Sequence, residues 1–282
     1  MADPREVLTR PGRAADLTLP YGMLPDQVVD VRLPAATGER PLVVVVHGGF
    51  WRSAFDRAHA TAESDAFADA GYVTATVEYR RTGMLGGGWP GTFDDTALWA
   101  DQVEDLVAAA LSARNGDLRL RRGRTVLVGH SAGGHLAAWA ASRHNLPAAS
   151  PWHRPAPLRL AGVVSLGGVL DLAAAERLHL DDDAVRPLLG SDGPPAADRL
   201  DAADPARLLP VGQRMVLLHG TADDRVPVAV SRSYAASAAA AGDTGVTLHE
   251  LDGTGHFELI DPLSSAWTAV LDAVSEVLAC KS

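Results

Sequence analysis

Nothing narrows the architecture of this chain more than its short, predominantly apolar runs, which recur with helix-length segments between them. Residues 42–46, 125–128, 161–166 and 215–218 are such runs, and 42–46 is a leucine followed by four valines. A strand with one wet face alternates apolar and polar residues, whereas one covered on both faces stays apolar. The pattern predicts an α/β architecture, a mostly parallel sheet with helices on both faces. Further strands are expected at 28–33, 72–77 and 246–251, with a turn over 35–40. Helices are expected at 61–70, stopped by Gly71, from an Asp94 or Asp95 N-cap to about 113, and at 133–143, 231–241 and 264–278.

The length of 282 residues fits one domain of this kind over 1–282. Residues 167–210 fall between two predicted strands, are rich in Asp, Pro and Gly, and have weak periodicity. They read as a cap-like insertion. Hydrophobic residues make up 47% and charged residues 21%, enough apolar material for a large core. The net charge of −10 repels phosphate backbones, and the densest basic run, Arg119 to Arg124, is short. Nucleic acid is therefore not an expected partner. The single cysteine, Cys280, allows no intrachain disulfide. Residues 1–20 carry no apolar signal-peptide core, and no run approaches the roughly 18 apolar residues of a membrane span. A cytoplasmic location without membrane contact is the default expectation, and homo-oligomerisation is left open.

The chemistry concentrates where the runs end. Gly129-His130-Ser131-Ala132-Gly133 fits G-x-S-x-G. By chance alone this would arise in roughly one chain in ten of this length, so position matters more than the match. It directly follows the run 125–128 and precedes a helical pattern. A strand–serine–helix turn is too tight for side chains beside the serine, which explains the flanking glycines. Ser131 is the candidate nucleophile, and the Ala132 N–H at the helix start is a candidate oxyanion donor. The competing reading is a glycine-rich turn with an incidental serine. His47-Gly48-Gly49-Phe50-Trp51 follows the run 42–46 and offers Gly49 and Phe50 N–H groups as the remaining donors. His47 is expected to brace this loop rather than carry protons.

A triad also needs a carboxylate and a base further along the chain. Asp223 and Asp224 follow the run 215–218. Asp223 is preferred because Asp224 can then pair outward with Arg225; Asp171 and Asp252 are weaker candidates. His256 follows the last strand within Gly253-Thr254-Gly255-His256-Phe257, and is the candidate base. Trp51, Trp89, His135 and Phe257 sit in the motif loops and are candidates to line the substrate pocket. No metal site is expected: His130 and His135 are five residues apart, and Asp181-Asp182-Asp183 lacks the rest of a calcium loop and reads as a solvated face. No nucleotide fingerprint follows any strand, so no cofactor is expected.

On these residues, the chain resembles the α/β-hydrolase superfamily of serine hydrolases over about residues 20–280. His47-Gly48-Gly49-Phe50-Trp51 looks like the H-G-G-x-W motif of kynurenine formamidase and related small bacterial carboxylesterases. Gly88-Trp89-Pro90 and the segment from Gly129 to Leu136 look like that group too. His219-Gly220-Thr221-Ala222-Asp223-Asp224 resembles the acid loop of prolyl-oligopeptidase-like families, where the first Asp serves the triad. The resemblance implies a serine hydrolase of a small ester or amide, of carboxylesterase or arylformamidase type. The alternatives are a peptidase-like amidase and a hydrolase-fold protein that binds a small molecule with little turnover.

Overall fold

Residues 3–279 are described by the computed structural model. Cys280 lies outside them. The run 42–46 sits in the middle of an eight-stranded sheet. Its strands are β1 (Leu17–Pro20), β2 (Val28–Arg32), β3 (Gly38–Val46), β4 (Val73–Val77), β5 (Leu118–His130), β6 (Gly162–Leu166), β7 (Met215–Gly220) and β8 (Val246–Leu251). They lie in the order β1-β2-β4-β3-β5-β6-β7-β8. The β1–β2 and β2–β4 pairs are antiparallel, and every other pair is parallel. The helices are α1 (Thr61–Asp69), α2 (Gly91–Ala113), α3 (Ala132–Ser142), α4 (Leu172–Arg177), α5 (Val185–Leu188), α6 (Ala197–Ala203), α7 (Ala229–Ala240) and α8 (Trp267–Ala279).

Because side chains alternate across a strand, each apolar run feeds two cores. Val44, Val46, Leu127 and Leu217 face one layer, where they meet Trp99 and Val103 of α2, Leu136 of α3 and Tyr234 of α7. Val43, Val45, Val126, Val128, Val164 and Val216 face the other, against Phe67 of α1 and Trp267, Val270 and Val274 of α8. All six of these valines are at most 1% exposed, which is why their runs carry no polar alternation.

Several local expectations are revised. The turn placed at 35–40 ends early, because Gly38 already starts β3. The register with β5 then shifts between Arg40 and Leu42, at Pro41, which has no N–H for the ladder. α2 starts at Gly91, so neither aspartate caps it. Asp95 is instead buried and accepts from Gln27 Nε2 at 2.7 Å and Arg80 Nη2 at 2.7 Å. Asp94 accepts from Trp152 Nε1 at 2.8 Å. The segment 167–210 holds the short helices α4, α5 and α6. Among the described residues no helix is long and apolar enough to cross a membrane.

Candidate active site

The parallel strands end along one edge of the sheet, and the candidate residues lie in the loops just beyond β3, β5, β7 and β8. Ser131 joins β5 to α3 with φ 55° and ψ −119°, a conformation costly for a residue with a side chain. Its neighbours explain how it is held. A Cβ at Gly129 would lie 2.3 Å from the Gly133 carbonyl oxygen, and one at Gly133 would lie 1.9 Å from that of Val46. The Ser131 N–H donates to Leu166 O at 2.9 Å, while its carbonyl accepts from Gly134 at 3.0 Å and Val169 at 3.1 Å. Its hydroxyl makes no hydrogen bond among the described residues.

His256 Nδ1 lies 2.6 Å from Asp223 Oδ2. With Nδ1 donating to a carboxylate, Nε2 is left as the basic nitrogen. The ring packs on His130 with centroids 4.4 Å apart, and His130 Nε2 donates to the His256 carbonyl at 3.1 Å. The Asp223 carboxylate is fully buried. Its Oδ1 accepts from the Arg225 and Val226 N–H groups at 2.9 and 2.8 Å. Its Oδ2 also lies 3.3 Å from His219 Nε2. Burial alone would raise this carboxyl, but the hydrogen bonds from His219 and His256 outweigh it and hold it well below the usual carboxylate range.

Asp224 is exposed and makes no contact with His256. The outward pair expected between Asp224 and Arg225 does not form. Arg225 pairs instead with Asp181, Nη2 to Oδ1 at 3.2 Å. Asp181 also accepts from Arg52 Nε at 2.6 Å. The acidic run expected to be a solvated face therefore ties the 167–210 segment to two site loops. Asp171 caps α4 by accepting from Ala174 N–H, and Asp252 accepts from Thr221 Oγ1; neither reaches His256.

The loop after β3 is left-handed at three successive residues, Gly49 (φ 109°), Phe50 (φ 46°) and Trp51 (φ 57°). The N–H groups of Gly49 and Phe50 have no acceptor among the described residues, and that of Ala132 precedes any intrahelical acceptor. His47 braces this loop: its Nδ1 donates to Gly48 O at 2.8 Å and its ring stacks on Tyr79 at 4.4 Å. Its Nε2 also lies 3.1 Å from Glu78 Oε1, while burial, helped by the Arg81 charge, pushes the imidazole down to about 3.

A cavity of about 50 Å³ opens beside Ser131 and is lined also by His256, Gly49, Phe50 and Phe257. Of the four side chains expected to line it, Phe257 does and three do not. Trp51 is wholly buried and donates Nε1–H to His135 Nδ1 at 3.2 Å. His135 is equally buried and donates through Nε2 to Ala203 O at 2.9 Å. Trp89 packs edge-to-face on Trp152 and Phe93, at 4.8 and 5.3 Å. Trp51 and His135 lie in the core with their ring N–H groups satisfied, and the half-buried Trp89 packs edge-to-face against it.

Two contacts escaped the sequence reading. A Cβ on Gly167, the residue after β6, would lie 3.1 Å from Asp223 Oδ2 and 3.2 Å from His256 Nδ1. A glycine pair at a strand end was the available signal. His219 stood in the quoted acid-loop motif without an assigned contact. Its Nδ1 lies 2.7 Å from Ser231 Oγ, on α7, a partner that local sequence could not reveal.

Comparison with known proteins places the chain among esterase-like relatives. The family model described as BD-FAE matches residues 29–237, well over half of the chain. The probable carboxylic ester hydrolase LipM of Mycobacterium tuberculosis is 27% identical over 260 residues, covering 86% of this chain and 55% of that protein. The esterase LipQ of the same organism is 28% identical over 274 residues, covering 92% and 61%. The chain thus spans little more than half the length of these curated relatives. The thermophilic esterase Est2 of Thermogutta terrifontis, solved with propionate bound, superposes with a TM-score of 0.69 at 23% identity and covers 93% of each chain. Carrying the eight-stranded, mostly parallel sheet of the α/β-hydrolase fold, this chain belongs to the BD-FAE family.

Proposed function

We propose that this protein is a serine esterase that cleaves small carboxylic esters with short acyl groups through an acyl-enzyme. The observation that carries the reading is that His256, paired with Asp223 at 2.6 Å, lines the same cavity as Ser131. Ser131 Oγ attacks the ester carbonyl carbon while His256 Nε2 takes its proton. Asp223 holds the ring in the tautomer that leaves Nε2 free and stabilises the imidazolium. The negative charge on the carbonyl oxygen is met by the N–H groups of Gly49, Phe50 and Ala132. His256 then returns the proton to the departing alkoxide, breaking the C–O bond. Water, deprotonated by His256, attacks the acyl-enzyme and releases the acid and Ser131.

The small cavity favours short acyl groups, from formyl or acetyl to about butyryl. A methylene that must overpack a filled site costs about 1–3 kcal/mol, or roughly 5- to 150-fold in rate. The relatives named as esterases, and the propionate-bound Est2, support ester over amide substrates. A formyl group is the smallest acyl, so the arylformamidase type is the finer reading to test. p-Nitrophenyl esters from acetate to palmitate, run beside N-formylkynurenine, test the proposal. The expected maximum of kcat/KM falls at four carbons or fewer. A maximum at eight or more refutes the short-acyl reading, and inert N-formylkynurenine removes the formamidase one. Ser131→Ala is expected to lose about 10⁴-fold or more in kcat together with labelling by a fluorophosphonate. Activity near wild type would falsify the nucleophile assignment.

A further inference from the structure

Two carboxyls that the acyl-transfer chemistry does not use line the cavity beside Ser131: Asp181, paired with Arg52 and Arg225, and Glu63. Glu63 lies in the first turn of α1 and is 2% exposed. Its Oε2 is buried with no hydrogen-bond partner. At this third helical position a glutamate ordinarily reaches back to the N-cap N–H. Here Ala60 occupies the cap and no side-chain capping bond forms. The Glu63 side chain instead lines the cavity shared by Ser131 and His256.

An unpartnered buried carboxyl is costly to keep, and no described residue hydrogen-bonds its Oε2. Leu8, Phe55, Ala60 and Ile260 line the same cavity as apolar walls. His59 lines it too, but its Nδ1 is engaged with Asp56. Burial pushes the Glu63 carboxyl up to about 8, so at neutral pH it is mostly a neutral acid. In that form it has one O–H to give and a carbonyl oxygen to accept with. A hydroxyl group satisfies both without any transfer of charge. An ammonium group would need Glu63 to ionise in an apolar surround.

We propose that Glu63 is a specificity-determining residue which selects compact esters bearing a hydroxyl group, exchanging hydrogen bonds with that hydroxyl inside the cavity. The inference rests on the esterase reading and adds the substrate class. An ester lacking the hydroxyl leaves the carboxyl unpaired, which is the situation in which buried polar sites discriminate most strongly.

The test compares two matched pairs of substrates. The first is p-nitrophenyl 3-hydroxybutyrate against p-nitrophenyl butyrate, for a hydroxyl on the acyl part. The second is 2-hydroxyethyl butyrate against propyl butyrate, for a hydroxyl on the alcohol part. Wild type is expected to favour the hydroxylated member of at least one pair by roughly tenfold in kcat/KM. Glu63→Leu is expected to bring that ratio to within about twofold of unity, while Glu63→Gln, which keeps a donor and an acceptor, retains most of it. Leucine leaves no unsatisfied group behind, and a melting curve checks that this variant is folded. A ratio near unity in both pairs for wild type, or an unchanged ratio in Glu63→Leu, overturns the inference. So does a stronger preference for p-nitrophenyl 3-aminobutyrate, which would make the site cation-selective. Hydrolysis of the parent butyrates with no dependence on Glu63 leaves the esterase reading standing and removes only this one. No hydrolysis of any ester removes both.

Discussion

Gly167→Ala separates backbone strain from damage to the site. Gly167 has φ 54°, and an alanine held in the left-handed region costs about 1–2 kcal/mol. Unfolding entropy scales to about 0.6 kcal/mol per kelvin for a chain of 282 residues. The strain alone therefore lowers the melting temperature by about 2–3 °C. The new methyl has a second consequence. It would stand 3.1 Å from Asp223 Oδ2, 3.2 Å from His256 Nδ1 and 3.4 Å from His256 Cε1. Those atoms must yield by a few tenths of an ångström, and the 2.6 Å bond between them is what sets the ring. Misplacing a reacting group by about 1 Å costs about 10²-fold, so a loss near tenfold in kcat/KM is expected. Gly242→Ala is the matched control: Gly242 has φ 74°, and a methyl added there would meet nothing within 4 Å. Thermal melts and p-nitrophenyl acetate kinetics on both variants decide the matter. Both should melt a few degrees early, and only Gly167→Ala should lose rate. If the two variants retain activity within twofold of one another, Gly167 does not position the Asp223–His256 pair.

Asp223→Asn is expected to lose about 10⁴-fold in kcat, because an amide favours the wrong His256 tautomer, while Asp224→Asn changes the rate less than threefold; the reverse order would move the carboxylate to Asp224. Glu63 makes stability depend on pH. Its folded carboxyl is raised from an ordinary 4.5 to about 8, so the native state binds more protons in that window. Its contribution is fully present below about pH 4.5 and is lost as pH rises through 8, with a ceiling of about 1.4 kcal/mol per pH unit. Urea melts at pH 5 and pH 8 should show wild type losing stability relative to Glu63→Gln at the higher pH, and parallel behaviour of the two proteins would contradict a buried protonated acid. Dialysis against EDTA should leave ester hydrolysis unchanged, since the proposed acyl transfer needs no Lewis acid; a rate restored only by added divalent metal would replace that mechanism.

The sequence by itself determined the parallel sheet and the places along it where chemistry could be mounted. An unbroken valine run such as Val43 to Val46 has only one good solution, burial on both faces, and that demands helices on both sides. Parallel strands end at one edge, so Ser131, Asp223 and His256, each just past an apolar run, were bound to share a neighbourhood. The glycines beside Ser131 were legible for the same local reason, since Cβ atoms there collide with backbone a few residues away. Side-chain direction beyond the strand ends was not legible. Trp51 and Trp89 stand in motif loops and His135 in the first turn of α3, yet Phe93 of α2, Trp152 and the Ala203 carbonyl hold them in or against the core. Asp181 seemed solvated until the fold carried it to Arg52 and Arg225. Glu63 stands in the first turn of α1, and only the packing of α1 on β2 and β4 places it on the cavity lining. Local periodicity records which face of an element is buried. What a side chain meets there is set by segments a hundred residues away, and that information exists only once the chain has folded.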